Sequence, residues 1–384
     1  MTFNTIDIIF LSSFFCCGTI QLLYYWVYLA QPYYYRRSVE KGKIVPNAAH
    51  SPVSLIMYAR NEAANLEKYL PSILEQDYPL YEVIVVDDRS SDDTDDVLKR
   101  FAIQYKHFHR TYIPPESKSI SRKKLALTLG IKAAHYDHLL FMEGDSHPVS
   151  PDWIRLMAGH FTGKKTIVLG FSNLEGQPFQ FASYDYFFSN LQMMSLALMH
   201  HPYTGSGKNM GYSKSEFFQQ KGFAVFSFLD AGDDDLFINE IAGKENVAVE
   251  LSPDSVTQVD MDAFWIWKDL KVRRMITRPF YKKFSVIFWD MEKVSRILFY
   301  MLFIWTVIWF FPNWILLGVL LFTFLIRLFT QLFVINKTAS MLKLPNFCFT
   351  LPFFDFIQPF MDGYFYLYKI FVGKKKKYWK YGKR

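Results

Sequence analysis

The stretch Glu82 to Thr94, EVIVVDDRSSDDT, carries the unbroken apolar run Val83 to Val86 and then breaks into two carboxylates and a set of helix-capping residues. A short Val/Ile run without polar alternation is the pattern of a strand buried on both faces, as in a parallel sheet. The same grammar recurs on either side. Val53 to Tyr58 (VSLIMY) reads as a second buried strand, and Asn65 to Gln76 as a helix with an apolar stripe of Leu66, Tyr69, Leu70, Ile73 and Leu74. Lys123 to Ala134 reads as a further helix and His138 to Met142 (HLLFM) as a further strand. Alternating strands and helices between about residues 51 and 283 predict an α/β domain with a mostly parallel, mixed sheet, whose ligands sit at the carboxyl ends of its strands.

Outside this domain the composition changes. Of 384 residues 39 are Phe, and the aromatics crowd the first thirty residues and the region beyond Val286. Ile6 to Ala30 carries no charge except Asp7 and is long enough to cross a bilayer, which takes about 20 apolar residues. No basic residue precedes it, as a cleaved signal peptide would require. Residues 1–35 are therefore an expected N-terminal transmembrane anchor. Arg36, Arg37, Lys41 and Lys43 follow it and, by the positive-inside rule, put the domain in the cytoplasm.

Residues 284–384 form an expected C-terminal membrane region. Ile297 to Phe311 and Trp314 to Ile335 read as a hairpin split by Pro312-Asn313, spanning 297–335, with Arg327 facing protein or snorkelling. Residues 347–372 hold Asp355, Asp362, Pro352 and Pro359 and read as an interfacial or re-entrant segment. The tail Lys374-Lys375-Lys376-Lys377 through Arg384 carries much of the net charge of +7. Directly after an aromatic segment, it fits an anionic lipid surface and not nucleic acid. Three cysteines, two of them adjacent in an apolar run, indicate neither a disulfide framework nor a zinc site.

Three acidic constellations carry the chemistry. Asp87 and Asp88 directly follow a buried strand, where a carboxylate can accept the imide hydrogen of uracil or bind ribose hydroxyls; equally, Ser90, Ser91 and Asp92 can simply cap the next helix. Glu143 and Asp145 in EGDSHP can be aimed at one ion, with Gly144 leaving room. Their hard oxygens suit Mg2+ or Mn2+, which would neutralise a departing diphosphate. Asp233, Asp234 and Asp235 crowd the start of a helix-like stretch. Some can serve its dipole, and crowding raises at least one pKa, as a general base requires. Trp265 and Trp267 fit a membrane interface and a sugar stack equally well.

In order along the chain, YARNE (58–62), VDDRSSDDT (86–94), RKKLALTLGI (122–131), EGDSHP (143–148), GSGKNMGY (205–212) and GDDDLF (232–237) resemble the inverting glycosyltransferases of family 2, in a membrane-anchored form of bacterial type. The resemblance covers roughly residues 51 to 283 and implies the GT-A fold of nucleotide-diphospho-sugar transferases. It implies nucleotide contacts at Arg60, Glu62 and Asp88, with Asp88 on the base and Lys123 or Lys124 close by. Glu143 and Asp145 match the metal-binding acidic pair, Asp145 at the more consistent position; glutamate at the first position departs from the family's aspartate. Asp233 matches the base that deprotonates the acceptor hydroxyl for one in-line displacement, with Asp234 and Asp235 behind it.

Processive members of the family carry a Q-x-x-R-W signature after the base. Here the nearest equivalent is Leu270-Lys271-Val272-Arg273-Arg274, so single addition is expected, and Arg273 or Arg274 can bind a diphosphate or a lipid phosphate. The expected reaction is transfer from a UDP- or GDP-type sugar to a glycolipid or polyprenyl-linked acceptor. A divalent metal is the expected cofactor and the cytoplasmic face of the inner membrane the expected place. A processive synthase with a drifted signature and a non-catalytic nucleotide-sugar-binding membrane protein are the alternatives.

Overall fold

The computed structural model describes residues 4–44, 51–114, 116–117, 119, 121–176, 179–260 and 264–373; the lysine-rich tail lies outside them. The chain opens with α1 (Thr5–Leu23), a π-helical stretch (Tyr24–Leu29) and α2 (Gln31–Glu40). Next alternate β1 (Val53–Ala59), α3 (Ala63–Leu74), β2 (Tyr81–Asp87), α4 (Thr94–Gln104), β3 (Phe108–Tyr112), α5 (Arg122–Ala133) and β4 (His138–Glu143). Then come β5 (Ser146–Pro148), α6 (Trp153–Ala158), β6 (Ile167–Gly170), β7 (Ser172–Glu175), α7 (Gln180–Leu198), β8 (Met210–Ser213), α8 (Lys214–Gln219) and α9 (Asp235–Ile241). The chain continues through β9 (Val247–Glu250), β10 (Thr257–Asp260), α10 (Phe264–Thr277), α11 (Lys283–Trp309), α12 (Trp314–Met341) and α13 (Leu351–Gly373).

Seven strands form one mixed sheet in the order β3-β2-β1-β4-β8-β6-β9, and β5-β10-β7 form a second. β3, β2, β1 and β4 are mutually parallel, while β8 runs antiparallel to both its neighbours. The chain builds outward from β1 to β2 and β3, then returns to place β4 on the other side. That reversal of strand order opens a crevice at the carboxyl ends. Register sets Tyr58 of β1 opposite Val86 on one side and Glu143 on the other, so the end of EVIVVDD and the end of HLLFME face a common space.

Successive residues of these strands feed two cores, which is why their sequences lack polar alternation. Leu55, Met57, Val83, Val85, Leu140 and Met142 pack beneath α3, α4 and α6. Ile56, Ile84, Val86, Leu139 and Phe141 pack against α5 and α7. α5 lies so close to the sheet that a Cβ on Gly130 would stand 2.7 Å from Ile56 Cγ2 and 3.0 Å from Val86 Cγ2. This tight seat aims the amino end of α5, with Arg122 and Lys123, at the crevice.

Two helical stretches, Thr5–Glu40 and Trp314–Met341, are long and apolar enough to cross a membrane. α11 starts well before the apolar run at Ile297, because its first turns pack against the α/β domain, with Ser285 and Trp289 buried. Its later turns expose Met301, Ile304 and Ile308. The second arm of the hairpin, α12, likewise runs past Ile335 to Met341.

α13 packs against α7, α10 and α11, and its two aspartates face inward. Asp355 is fully buried, pairing with Arg296 at 2.8 Å and Arg327 at 2.7 Å and accepting the Tyr300 hydroxyl at 2.7 Å. Arg327 therefore faces protein. Removing one partner from a buried ion pair costs about 3–5 kcal/mol, because the remaining charge has no replacement solvent. Asp355→Ala leaves Arg327 with no carboxylate partner among the described residues and Arg296 with Glu292 alone, and is expected to lower the detergent unfolding midpoint by several degrees, more than the isosteric Asp355→Asn. An unchanged midpoint in both variants would show that this network does not hold α13 in place.

Candidate active site

The crevice begins at Asp88, whose side chain is fully buried at the end of β2. Its Oδ2 accepts the Tyr58 hydroxyl at 2.9 Å, Oδ1 accepts Arg122 Nε at 2.6 Å, and Arg60 Nη1 lies 3.7 Å from Oδ2. The neighbouring turn is organised by side-chain caps. Asp92 accepts the Ala63 N–H at 3.1 Å and the Thr94 hydroxyl at 2.6 Å, and Asn61 accepts the Ser91 N–H at 2.7 Å. Asp92 thus caps the next helix, whereas Asp88 is enclosed by Tyr58, Arg60 and Arg122.

Across the crevice a chain of alternating charge joins three acidic motifs. Lys208 Nζ lies 2.7 Å from both carboxylate oxygens of Asp145 and 2.9 Å from Glu143 Oε2. Lys123 bridges Glu143 to Asp233, reaching Asp233 Oδ2 at 2.7 Å, and Arg273 Nη2 stands 3.3 Å from Asp233 Oδ1. Lys208 is aimed by its neighbour: Asn209 is buried and its amide donates to the carbonyls of Phe171 at 2.7 Å and Ser255 at 2.9 Å. Lys208, Glu143, Asp145, Lys123 and Arg273 line a cleft of about 250 Å3, shared with Glu62, Asp234, Asp235, Asp260 and Arg274, and Asp233 lies buried directly behind Lys123 and Arg273.

The electrostatics follow from burial and partners. Burial alone would raise the Asp233 carboxyl, but Lys123 and Arg273 hold it below its ordinary value. Glu143 is likewise held well below by Lys123 and Lys208. Asp235 is the crowded carboxylate that rises, to about 6, through burial and the adjacent Asp234. Glu62 rises to about 7, chiefly through burial and then through Asp145.

A carboxyl whose folded pKa exceeds its unfolded one binds more protons when folded, so stability falls as pH rises through that window. Unfolding midpoints are therefore expected to fall between about pH 4.5 and about pH 7, and Glu62→Gln to flatten that segment. Equal slopes in wild type and variant would assign the pH dependence elsewhere.

The residues fit a divalent ion of a particular kind. Asp145 and Glu143 gather three carboxylate oxygens within 2.9 Å of one point, and an ammonium, Lys208 Nζ, stands there as a stand-in cation. Among the described residues no group of three or more His, Cys, Asp or Glu forms a metal cage. Mg2+ and Mn2+ need none, since they commonly take one or two carboxylates and complete their shell with substrate phosphates and water.

Residues 54–227 match the family model described as glycosyl transferase family 2. The chain carries a family 2 glycosyltransferase domain. Its sheet order and crevice are those of the GT-A fold. Among curated proteins it is similar to glycosyltransferase AglE of Haloferax volcanii, 29% identical over 120 residues that cover 31% of this chain and 38% of that protein. It is also similar to a poly-beta-1,6-N-acetyl-D-glucosamine synthase of Staphylococcus epidermidis, 26% identical over 139 residues covering 36% of this chain and 31% of that protein. The matches thus span about a third of these relatives' lengths. A solved mannosyltransferase of Pyrobaculum calidifontis, in complex with GDP-Man and Mn2+, is similar at 18% identity and a TM-score of 0.45, covering 68% of this chain and 72% of that one.

Arg60, Asp88, Glu62, Lys123, Glu143, Asp145, Asp233, Asp234, Asp235, Arg273 and Arg274 lie in or beside one crevice, those up to Asp145 inside the matched stretch and the rest beyond it. Lys124 does not join them: its ammonium is turned back to the carbonyls of Phe226 at 2.7 Å, Leu229 at 3.0 Å and Ala231 at 2.7 Å, where it ties down the loop before Asp233. The Asp235 carboxylate is taken by the hydroxyls of Thr277 and Tyr281, the latter at 2.6 Å, and Asp234 Oδ2 accepts the Gly207 N–H at 3.0 Å. Trp267 is buried and donates to Asp185 at 3.1 Å, so it serves neither membrane nor sugar; the Trp265 side chain lies outside the described residues. Two cations that pair with these carboxylates were absent from the sequence expectation, Arg122 and Lys208. Both sit inside quoted motifs, RKKLALTLGI and GSGKNMGY, and a lysine in a glycine-rich loop was the available signal.

Proposed function

We propose that this chain transfers a single sugar, with inversion, from a nucleotide-diphosphate sugar of UDP or GDP type to a membrane-associated acceptor. The observation that carries the reading is the Lys123 bridge, which joins Glu143 of the acidic pair to the buried Asp233 beside one cleft at the sheet's carboxyl edge, while Lys208 joins Glu143 to Asp145. Asp88, with Arg60 and Arg122 beside it, serves the nucleoside end.

In the displacement, the acceptor hydroxyl oxygen forms a bond to the anomeric carbon, the bond to the diphosphate breaks, and its electron pair leaves with the nucleoside diphosphate. Asp233 takes the hydroxyl proton. A donor diphosphate competes with Asp233 for Lys123 and Arg273, and losing those cations makes Asp233 a stronger base when the donor is present. A Mg2+ or Mn2+ ion held by Asp145 and Glu143 would supply charge neutralisation of the departing diphosphate. Lys208 then gives up contacts to that pair and can turn to phosphate oxygens.

The apolar helices support a membrane setting. We assign residues 1–35 to an N-terminal anchor, 51–283 to the catalytic domain on the cytoplasmic side of the inner membrane, and 284–384 to a membrane region against which that domain rests. Purified full chain in lipid nanodiscs, given a panel of UDP- and GDP-sugars with an extract of membrane lipids, is expected to release nucleoside diphosphate from one donor class in a lipid-dependent manner. Donor binding without release would support a non-catalytic role, and a ladder of products a processive one.

A further inference from the structure

The first turn of α5 meets all three acidic motifs. Arg122 reaches Asp88, and Lys123 reaches Glu143 and Asp233. Lys124 turns instead to the backbone that carries Asp233. It is buried, and its ammonium has three hydrogens to place. The carbonyls of Phe226 at 2.7 Å, Leu229 at 3.0 Å and Ala231 at 2.7 Å accept them. Ser121, the cap of α5, adds a fourth contact, its hydroxyl donating to the Asp230 carbonyl at 3.2 Å.

These contacts fall on a segment with little else to hold it. Every side chain from Ala224 to Asp230 is exposed or half-buried, Val225 and Phe228 among the exposed, so apolar burial contributes little there. The groups that α5 grips are carbonyls. After Ala231 the chain turns through Gly232, whose φ of 95° and whose position, where a Cβ would stand 2.6 Å from Leu236 Cδ1, admit no side chain. Asp233 comes next. The direction in which its carboxylate enters the site therefore depends on where the Ala231 carbonyl is held.

We infer that Lys124 is a positioning residue for Asp233: it fixes the backbone ahead of the base, while Lys123 beside it meets the base itself. One helix turn, seated on the sheet at Gly130, then sets Asp233 against both the nucleotide motif and the acidic pair. This rests on the transferase reading and deepens it.

The test compares wild type, Lys124→Met and Ser121→Ala as full chains in nanodiscs, with the nucleotide sugar and lipid extract that give turnover in wild type. Lys124→Met keeps the apolar stem and removes the three donors. It is expected to lower kcat about 10- to 100-fold with the donor KM within about 3-fold of wild type, since a displacement of about 1 Å suffices for such a loss. Ser121→Ala removes one contact to the same segment and is expected to lower kcat about 2- to 10-fold. UDP or GDP is expected to raise the unfolding midpoint of both variants as it does that of wild type, which verifies the fold. Hydrogen exchange from Phe226 to Asp233 is expected to quicken in Lys124→Met, with exchange in β1 and β2 unchanged. In Lys124→Ala, propylammonium, which has the size and charge of the deleted part, is expected to restore kcat several-fold; n-propanol, which has its size alone, is not.

A Lys124→Met kcat equal to wild type would overturn the inference, as would equal recovery with n-propanol, which would make Lys124 a space-filler. So would a loss confined to the donor KM, since Lys124 would then serve the donor. Turnover by wild type separates the two readings. Release of nucleoside diphosphate with kcat unmoved by Lys124→Met removes this inference alone, whereas no release from any donor by wild type removes the transferase reading, and with it any base for Lys124 to position.

Discussion

Asp233→Asn is expected to lower kcat by roughly 10²- to 10⁴-fold, the range in which a positioned base contributes, while donor affinity stays within a few-fold of wild type. The amide keeps the shape of the carboxylate, and Lys123 retains Glu143 as a partner, so the fold is expected to persist. The pH dependence sharpens the expectation. In the ligand-free protein Lys123 and Arg273 hold Asp233 below its ordinary value, so it stays ionised through neutral pH and loses its charge only at low pH. The acid limb of kcat/KM, which reports the free enzyme, therefore lies below the ordinary carboxylate range. The limb of kcat, which reports the donor complex, is displaced upward because the diphosphate draws those cations away. Coincident limbs would argue against that transfer of partners, and a kcat near wild type in Asp233→Asn would remove Asp233 as the base.

The second large effect is expected at Asp145. Charge stabilisation by a bound metal contributes several kcal/mol to the transition state, so Asp145→Asn is expected to cost on the order of 10²- to 10³-fold in kcat/KM. The asparagine also leaves Lys208 with Glu143 as its remaining carboxylate partner in the pair. Electron paramagnetic resonance of Mn2+ separates the contributions. Wild type is expected to bind the ion much better with nucleoside diphosphate than without it, since the protein offers two carboxylates and an ammonium stands between them. Asp145→Asn is expected to lose the nucleotide-dependent component. If wild type and Asp145→Asn bound Mn2+ alike, the assignment of this pair to the metal would be wrong.

The parts of this picture that the sequence made legible are those where one element advertises itself. VSLIMY, EVIVV and HLLFM each carry an uninterrupted apolar run that has only one comfortable place, the middle of a parallel sheet. The stripe Leu66, Tyr69, Leu70, Ile73 and Leu74 is buried as its spacing requires. The acids at the strand ends followed, because strand ends are where α/β sheets meet ligands. β6, β7, β9 and β10 were not legible: each is four residues long, too short for an alternation to stand out from chance.

Pairings across the chain were less legible still. Lys208 and Asp145 are 63 residues apart, and no local pattern announces that the ammonium of a glycine-rich loop ends between two carboxylates. The same holds for α13, where Asp355 and Asp362 argue against burial until Arg296, Arg327, Lys271 and Lys293 are seen to meet them. Lys124 shows the converse. It stands beside Lys123 in the cleft, and on a helix the next residue points about 100° away, so neighbours in sequence take different work.

The central claim is a direct displacement at the anomeric carbon with Asp233 as base. Nuclear magnetic resonance of the first product formed from an α-linked nucleotide sugar tests it most directly: the account predicts a β-linked sugar on the acceptor, and an α-linked product would contradict it.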